Sequence, residues 1–303
     1  MGGTIAICEE GPGSYLPGSY HLRKHTGETC GSVFWADFNH RFLLFFPDEE
    51  RYAAEIEKVI FNVVLAAQDG RGHIRYHNHL VDHKDKPQCA NTCCEVMGVP
   101  FIARLPQYLY SIAADGLIVN LFSASKITWT HAGTEVTATT STSFPLDGKV
   151  EVRVRAAAPV AMKVRIRVPS WVDGSLGISV NGEQAAMGRP GTFVGLHRTW
   201  ADGDRVSFDL PMRARLTRYT GVDRDAAGDR YALEIGPVLM ALLGTTGLDV
   251  APDDLVRRLS PRAGKPLHFG ITGHPHCTFL PYGQVQDEPF TCFPTFAPMK
   301  EGV

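Results

Sequence analysis

The 303-residue sequence predicts an α+β protein of several domains, in which a helical part comes first and strands follow. Up to about residue 115, apolar residues recur every three or four positions, as they do on one face of a helix. From about residue 117 the period changes to two, and turn motifs separate the short alternating runs. These changes divide the chain into residues 1–115, 116–215 and 216–303.

Three helices are predicted in the first part. Aromatic residues at steps of three and four mark the first helix, over residues 31–46, and Pro47 ends it. Asp48 is the expected N-cap of the second helix. A third helix is predicted further along, kinked at Pro106 and running to Gly116. The apolar stripe of the first helix consists of Phe34, Trp35, Phe38, Phe42, Phe45 and Phe46.

The second part is predicted to be an all-β sandwich. The runs VEVRVRAAA and MKVRIRVPSW alternate apolar and polar residues, which is typical of strands with one buried face. Turn signals such as Asn181-Gly182 and Asp202-Gly203-Asp204 separate such runs. The later runs RYALEIGPVLMALLG and FLPYGQVQDEPFTCF predict a second β-rich segment or a closing segment.

The composition argues against several function classes. The chain has 44% hydrophobic and 20% charged residues and a formal net charge of −2, so no charge excess attracts nucleic acid or an anionic membrane. No apolar run approaches the roughly 20 residues that a membrane helix needs, and the first residues lack a signal-peptide pattern. We therefore expect a cytoplasmic protein without nucleic acid or membrane partners, and a homodimer is compatible with the sequence.

The cysteines are the most informative residues. An odd number with two adjacent members makes a poor disulfide framework, so metal ligands or catalytic thiols are favoured. Glu28-Thr29-Cys30 and Cys93-Cys94 supply one carboxylate and three thiols, which suits tetrahedral zinc. On spacing alone, small buried apolar side chains are the more common explanation. The seven cysteines are Cys8, Cys30, Cys89, Cys93, Cys94, Cys277 and Cys292.

Three segments of the helical part resemble one enzyme family. GETCGSVFWADFNHRF, RYAAEIEKVIFNVVLAAQDG and CANTCCEVMG are similar to segments of the family-127-like β-L-arabinofuranosidases, which are glycoside hydrolases. The resemblance implies an (α/α)6 barrel followed by β-sandwich domains. Residues 1–115 are then expected to be the C-terminal part of the catalytic barrel, in a chain that is the latter part of a longer protein. A few helices cannot enclose a barrel, which leaves the activity of the isolated chain open.

The resemblance also implies a metal site and a nucleophile. Glu28, Cys30, Cys93 and Cys94 correspond to the family's Zn²⁺ ligands, and Cys93 corresponds to the nucleophile of a retaining glycosidase. The family has a further cysteine two residues before the pair, whereas Cys89 lies four residues before it here. This departure puts the substrate in doubt more than the reaction.

Four more residues are implied to serve the sugar site. The family's general acid/base is a glutamate upstream of the Glu-Thr-Cys triplet, for which Glu10 is favoured here and Glu9 is the alternative. Glu57 and Tyr76 align with residues that contact the sugar. A solvated helix glutamate and a packed tyrosine are the competing interpretations of these two residues.

Two other function classes remain open on the sequence. One is a non-catalytic carbohydrate-binding or structural protein in which zinc only staples the helices, and the other is a lyase on the same scaffold. The histidine-rich stretch fits neither one helix face nor a recognised ligand pattern, so its members are expected to be solvated. They are His73, His77, His79 and His83.

Overall fold

The computed structural model describes residues 22, 27–221, 223–224 and 229–296. The chain forms two compact units, each made of separate stretches of sequence. The first comprises Met1–Ala36, Glu57–Ile102 and Ala214–Val303, and the second comprises Asp37–Ile56 and Ala103–Arg213. Few helices and many strands are present, so the predicted α+β class is confirmed.

Among the elements whose bounds the structure describes, the helices lie in the first third of the chain, apart from one short helix at residues 252–258. A π-helical turn at Ile60–Val64 and a last helical stretch at Leu65–Ala67 follow the second helix directly. Two 3-10 turns occur at Leu105–Tyr108 and Tyr282–Gln284. The helices are α1 (Thr29–Phe45), α2 (Glu50–Val59), α3 (Cys93–Ala103) and α4 (Pro252–Arg258).

The strands are numbered along the chain. They are β1 (Val81–Asp82), β2 (Tyr110–Ala113), β3 (Gly116–Val119), β4 (Ser125–His131), β5 (Thr134–Thr142), β6 (Lys149–Ala156), β7 (Val160–Val168), β8 (Leu176–Val180), β9 (Glu183–Gly188), β10 (Thr192–Trp200), β11 (Arg205–Asp209), β12 (Ala214–Arg218), β13 (Tyr231–Ile235), β14 (Val238–Leu243), β15 (Gly247–Leu248), β16 (Leu259–Pro261), β17 (Phe269–Ile271), β18 (His274–Pro281), β19 (Phe290–Thr291) and β20 (Thr295–Phe296).

Helix α1 lies where the aromatic spacing predicts it, but the face that it buries is not the aromatic stripe. Val33, Ala36 and Leu43 are buried, whereas Phe34 is 58% exposed and Phe45 is 78% exposed. Small and branched side chains allow a helix to approach its neighbours closely. The aromatic period therefore identifies the helix but not the face that it buries.

The third predicted helix is too long. Helix α3 ends at Ala103, and residues 110–113 form β2, which pairs antiparallel with β3. Gly116 is the first residue of β3, with φ of +143°, and a Cβ there would lie 2.1 Å from the carbonyl oxygen of Lys163. Gly116 thus closes a hairpin against a neighbouring strand, because only glycine permits this approach, and it does not end a helix.

The strands of the second unit form two sheets. Their orders are β4-β5-β6-β11-β8-β9 and β10-β7-β3-β2, and only the β3–β7 pairing is parallel. Tyr110 of β2 hydrogen-bonds through its hydroxyl to Thr140 of β5 at 2.6 Å. Asn181 and Gly182 have φ of +55° and +87° and join β8 to β9, as the turn signal predicts.

Two arginines of β7 lie buried against carboxylates of the same unit. The Nε atom of Arg167 donates to Oε1 of Glu50 at 2.8 Å, and the two side chains are 0% and 2% exposed. Arg165 donates to both carboxylate oxygens of Asp115, at 3.0 and 2.6 Å. Each buried positive charge therefore has a negative partner within hydrogen-bonding distance.

The first unit contains the remaining large sheet. Strands β1-β19-β14-β18-β17-β16 are neighbours in that order, and β13 joins β12 to β14. Asn62 in the π-helical turn donates to the carbonyl of Pro237 and accepts from the amide of Leu239, both at 2.8 Å. In the part of the chain that the structure describes, no helix is both long and apolar enough to cross a membrane.

Candidate metal and catalytic site

Three separate segments of the first unit meet at the predicted metal site. Glu28 precedes α1, Cys30 lies in its first turn, and Cys93 and Cys94 open α3. The backbone of Glu28 forms an isolated antiparallel bridge with His77. The two helix starts therefore bring together residues that are more than 60 positions apart in sequence.

We call Glu28, Cys30, Cys93 and Cys94 the cysteine cluster. The Sγ atom of Cys30 lies 3.2 Å from Glu28 Oε1 and 3.6 Å from Cys93 Sγ, and Cys93 Sγ lies 3.8 Å from Glu28 Oε1. One ligand atom from each of the four residues lies within 4.8 Å of all the others. Ligands of a tetrahedral zinc ion are separated by about 3.4–3.8 Å, since each lies about 2.0–2.3 Å from the metal. The cluster has the size that one such ion requires.

The electrostatics of the cluster favour a cation. Burial raises the pKa of the Cys94 thiol to about 12. Burial and then the hydrogen bond to Glu28 also raise the pKa of the Cys30 thiol. All four side chains are acids, so ionising several of them together is unfavourable until a positive charge compensates. A soft divalent cation would provide that charge, and the donor set therefore fits zinc.

The members of the cluster differ in exposure. Glu28, Cys30 and Cys94 are buried, at 1%, 8% and 0% exposed, whereas Cys93 is exposed. The backbone N–H of Cys30 donates to the Sγ atom of Cys94 at 3.4 Å, which orients that buried sulfur. Cys93 is therefore the thiol of the cluster that a molecule from solution can reach.

Tyr76 is brought to the same place by an extended segment. The backbone N–H of Thr29 donates to the carbonyl of Tyr76 at 2.9 Å, and the Tyr76 hydroxyl lies 3.5 Å from Cys93 Sγ. The hydrogen bond with Cys93 and then burial raise the pKa of the Tyr76 phenol. The phenol therefore stays protonated near neutral pH. Its oxygen accepts from the Cys93 thiol, and its hydroxyl can donate to this sulfur once the thiol is ionised.

Asn78 was not identified from the sequence. Its Nδ2 atom donates to Thr29 Oγ1 at 2.8 Å, and its backbone N–H donates to the carbonyl of Gly27 at 2.9 Å. These bonds anchor the segment that carries Tyr76 beside the start of α1. The signal in the sequence is the spacing of two from Tyr76, which places both side chains on one side of an extended segment.

The remaining residues singled out in the sequence differ in their exposure and in whether the structure describes them. Glu57 of α2 is 1% exposed, so the interpretation of a solvated helix glutamate is wrong. Glu9 and Glu10 lie outside the described residues. His79 is 2% exposed, so the expectation that this histidine is solvated is also wrong. The expectation fails because loop residues 77–85 fold back against the first unit, with Lys84 donating to the carbonyl of Ala66.

The fold and the cluster define a mixed helical and β protein with a thiol-rich candidate metal site. The catalytic-domain model of the GH127 β-L-arabinofuranosidases matches residues 14–107, and the middle-domain model of the same family matches residues 116–212. The chain thus belongs to the GH127-like β-L-arabinofuranosidase family, as its motifs suggest.

Named relatives agree with this assignment. The non-reducing end β-L-arabinofuranosidase of Bifidobacterium longum subsp. longum is 28% identical over 260 residues, which cover 78% of this chain and 38% of the relative. A solved GH127 β-L-arabinofuranosidase from Geobacillus stearothermophilus T6 has a TM-score of 0.70 at 20% identity, covering 93% of this chain and 51% of its own.

A further solved structure, a GH127 β-arabinofuranosidase, has a TM-score of 0.78 at 18% identity and covers 98% of this chain and 53% of its own. At these identities the structural likeness shows the fold. The chain spans about half the length of these solved relatives.

Proposed function

We propose that this chain carries the nucleophile and metal ligands of a retaining glycoside hydrolase that cleaves β-L-arabinofuranosides or related glycosides. The observation that carries the proposal is the convergence of the cysteine cluster, with one exposed thiol, Cys93, among buried acidic neighbours. The names of the relatives support the class of substrate. In this proposal residues 1–115 are the C-terminal part of the catalytic barrel, 116–215 a β-sandwich and 216–303 a second β-rich segment.

The proposed cofactor is Zn²⁺, held by Glu28, Cys30, Cys93 and Cys94. When bound, zinc keeps its thiol ligands ionised near neutral pH and stabilises a sulfur as a leaving group. The buried thiols of Cys30 and Cys94 need this help most, since burial is the largest cause of their raised pKa values. The proposal is supported by the donor set and by the spacing of its ligand atoms.

The reaction then divides into two displacements. The Cys93 thiolate attacks the anomeric carbon while a glutamate protonates the departing oxygen, which gives a thioglycosyl enzyme. The same glutamate next takes a proton from water, and the water displaces the sulfur with overall retention. We assign the glutamate's role to Glu10, with Glu9 as the alternative, and contacts with the sugar to Glu57 and Tyr76. The Tyr76 hydroxyl, 3.5 Å from Cys93 Sγ, orients the attacking sulfur.

The test compares Cys93→Ser with the wild type and with Cys89→Ser, an exposed cysteine four residues upstream. Aryl β-L-arabinofuranosides report turnover, and a mechanism-based arabinofuranosyl inhibitor reports covalent labelling by mass spectrometry. We expect Cys93→Ser to lose at least about a thousandfold in turnover and all labelling, while Cys89→Ser keeps both. Normal turnover in Cys93→Ser would show that another group is the nucleophile.

The second candidate function is a carbohydrate-binding or structural protein in which zinc only staples the two helix starts. The burial of Cys30 and Cys94 favours it, because buried thiolates are typical of structural zinc sites. Because the chain spans about half the length of its solved relatives, the deciding sample is a protein of their full length that carries this chain. If that protein holds zinc, shows no turnover and is not labelled at Cys93, the non-catalytic function holds instead.

A further inference from the structure

A second group of potential ligands lies along the segment that carries Tyr76. Successive side chains of an extended segment point to opposite sides. Tyr76 and Asn78 contact Cys93 and Thr29 on one side. The alternate residues, His77 and His79, instead approach Asp85, and we call these three residues the histidine cluster.

The distances within the histidine cluster match those around a small divalent ion. Nδ1 of His77 lies 3.3 Å from Oδ2 of Asp85, and Nε2 of His79 lies 3.4 Å from the same oxygen. One ligand atom from each residue lies within 4.8 Å of the other two. Two nitrogen or oxygen ligands of a tetrahedral zinc ion are about 3.4 Å apart, since each lies about 2.0–2.2 Å from the metal. The two imidazole rings are nearly parallel, with centroids 6.0 Å apart and an interplanar angle of 21°.

The orientation of His79 is the one that a metal ligand needs. Its Nδ1 atom lies 3.2 Å from the backbone carbonyl of His83. Because a carbonyl oxygen only accepts, this hydrogen bond places the proton on Nδ1, and in the neutral ring Nε2 then carries a lone pair. That lone pair faces a carboxylate oxygen of Asp85, which is also an acceptor. Either a second proton on the ring or a metal cation between the two atoms resolves this conflict. A carbonyl behind the ring is a common support of histidine ligands, which favours the metal.

The loop that carries the cluster is held in place by other residues. The Nε atom of Arg75 donates to the backbone carbonyl of Asp85 at 2.8 Å. Lys84 donates to the carbonyl of Ala66 at 2.9 Å, and its ammonium lies over the ring of Tyr282. The side chains of His79 and Asp85 are 3% and 33% exposed, so the cluster is fixed on one side and open to ions on the other.

We propose that His77, His79 and Asp85 bind a second divalent transition-metal ion, of which zinc is the best match in ligand type and spacing. Two imidazoles and one carboxylate form a harder donor set than three thiols and a carboxylate, so the two sites differ in chemistry. This proposal does not depend on the function proposed for the cysteine cluster. The competing arrangement is two protonated histidines paired with Asp85 and no metal.

The test counts metal ions on the full 303-residue chain. The purified, untagged protein is treated with a chelator and reloaded with excess Zn²⁺. Gel filtration removes unbound metal, and elemental mass spectrometry then gives the number of zinc ions per chain. We expect about two zinc ions per wild-type chain, about one in His77→Gln/His79→Gln and about one in Cys30→Ser/Cys94→Ser. His73→Gln, an exposed histidine of the same stretch that pairs with Asp69, should keep both.

Cobalt distinguishes the two sites by their colour. Co²⁺ bound to thiolates gives strong sulfur-to-metal absorption in the near ultraviolet, whereas nitrogen and oxygen ligands give only weak visible bands. The double histidine variant should keep the strong absorption and lose one cobalt ion, which also shows that it is folded. If the double histidine variant also loses the strong absorption, it is not folded, and Asp85→Asn is tested in its place. Asp85→Asn is then expected to bind one cobalt ion fewer than the wild type. A wild type and an Asp85→Asn variant with equal metal content would overturn the proposal, whatever the cysteine cluster binds.

Discussion

The two units differ in which ionisable side chains they bury together. In the second unit, Arg167 and Glu50 are buried as a pair of opposite charges joined at 2.8 Å. In the first unit, the four members of the cysteine cluster are all acids, and three of them are buried. A buried ion pair is neutral on its own, whereas a buried group of acids stays protonated or takes up a cation. A buried ion pair therefore completes a fold without an ion, whereas a buried group of acids is a candidate ion site.

Breaking the ion pair should have the largest effect on stability. Arg167→Met leaves the carboxylate of Glu50 buried, and we expect the free energy of unfolding to fall by about 3–5 kcal/mol. The loss should be the same with zinc and with a chelator, because the pair needs no ion. Urea denaturation followed by tryptophan fluorescence measures it. The double change Arg167→Met/Glu50→Leu should recover most of the loss, and a double variant as unstable as the single one would contradict this account.

Removing the proposed zinc should destabilise the first unit by a comparable amount. At free zinc a thousandfold above its dissociation constant, binding adds about 4 kcal/mol to the folded state, and a strong chelator removes it. Thermal unfolding with zinc or with chelator measures the difference. Measured in the His77→Gln/His79→Gln background, which removes the other proposed site, Cys30→Ser/Cys94→Ser should lose most of the response. An identical response in that variant would show that its zinc binds elsewhere.

A hydrogen-bonded carboxylate in the second unit should give a smaller effect that depends on pH. Burial alone would raise the pKa of Asp204, but hydrogen bonds from Asn181 Nδ2 and the Ala201 backbone outweigh it and lower that pKa. Its contribution is therefore present above the unfolded-state pKa of about 3.9 and is lost as the pH falls through the lowered folded value.

Asp204→Asn tests this contribution. We expect the variant to be less stable by about 1–2 kcal/mol at pH 7, and to lie closer to the wild type as the pH falls below about 4. Urea denaturation at several pH values gives both numbers. Parallel pH profiles for the two proteins would mean that the carboxylate is not stabilised in the folded state.

The smallest effect is expected for an exposed ion pair. Arg213 donates to Asp173 at 2.8 Å, but the two side chains are 70% and 73% exposed. Arg213→Met should change the free energy of unfolding by less than about 1 kcal/mol, because solvent screens the pair. This variant is the control for Arg167→Met, since both remove an arginine from the second unit. A loss as large as that of Arg167→Met would indicate that burial does not set the difference.

Structural features that depend only on neighbouring residues could be predicted from the sequence. The alternation in β6 and β7 and the Asn181-Gly182 turn follow from the period of a strand and the φ values of a turn, and both occur where expected. The end of α3 could not be predicted in this way. Residues 110–113 pair with β3, and Gly116 is required by the approach of Lys163, which is distant in sequence.

The same limit applies to the candidate site. The carboxylate of Glu28 and the thiols of Cys30, Cys93 and Cys94 suggest a metal from their chemistry. The family resemblance then assigns these four residues as the zinc ligands. The histidine cluster has no ligand spacing to reveal it, because Asp85 reaches His77 and His79 only when the loop folds back. Tyr76 is placed beside Cys93 by backbone hydrogen bonds that the sequence pattern does not encode.

The central claim is that one metal ion joins the sulfurs of Cys30, Cys93 and Cys94. Zinc K-edge X-ray absorption of the zinc-loaded His77→Gln/His79→Gln variant tests it most directly, because the cysteine cluster is then the remaining proposed site. If one ion joins the three sulfurs, we expect a shell of about three sulfur atoms at about 2.3 Å, reduced to about two by a further Cys30→Ser change. A shell made only of nitrogen and oxygen at about 2.0–2.1 Å would contradict it.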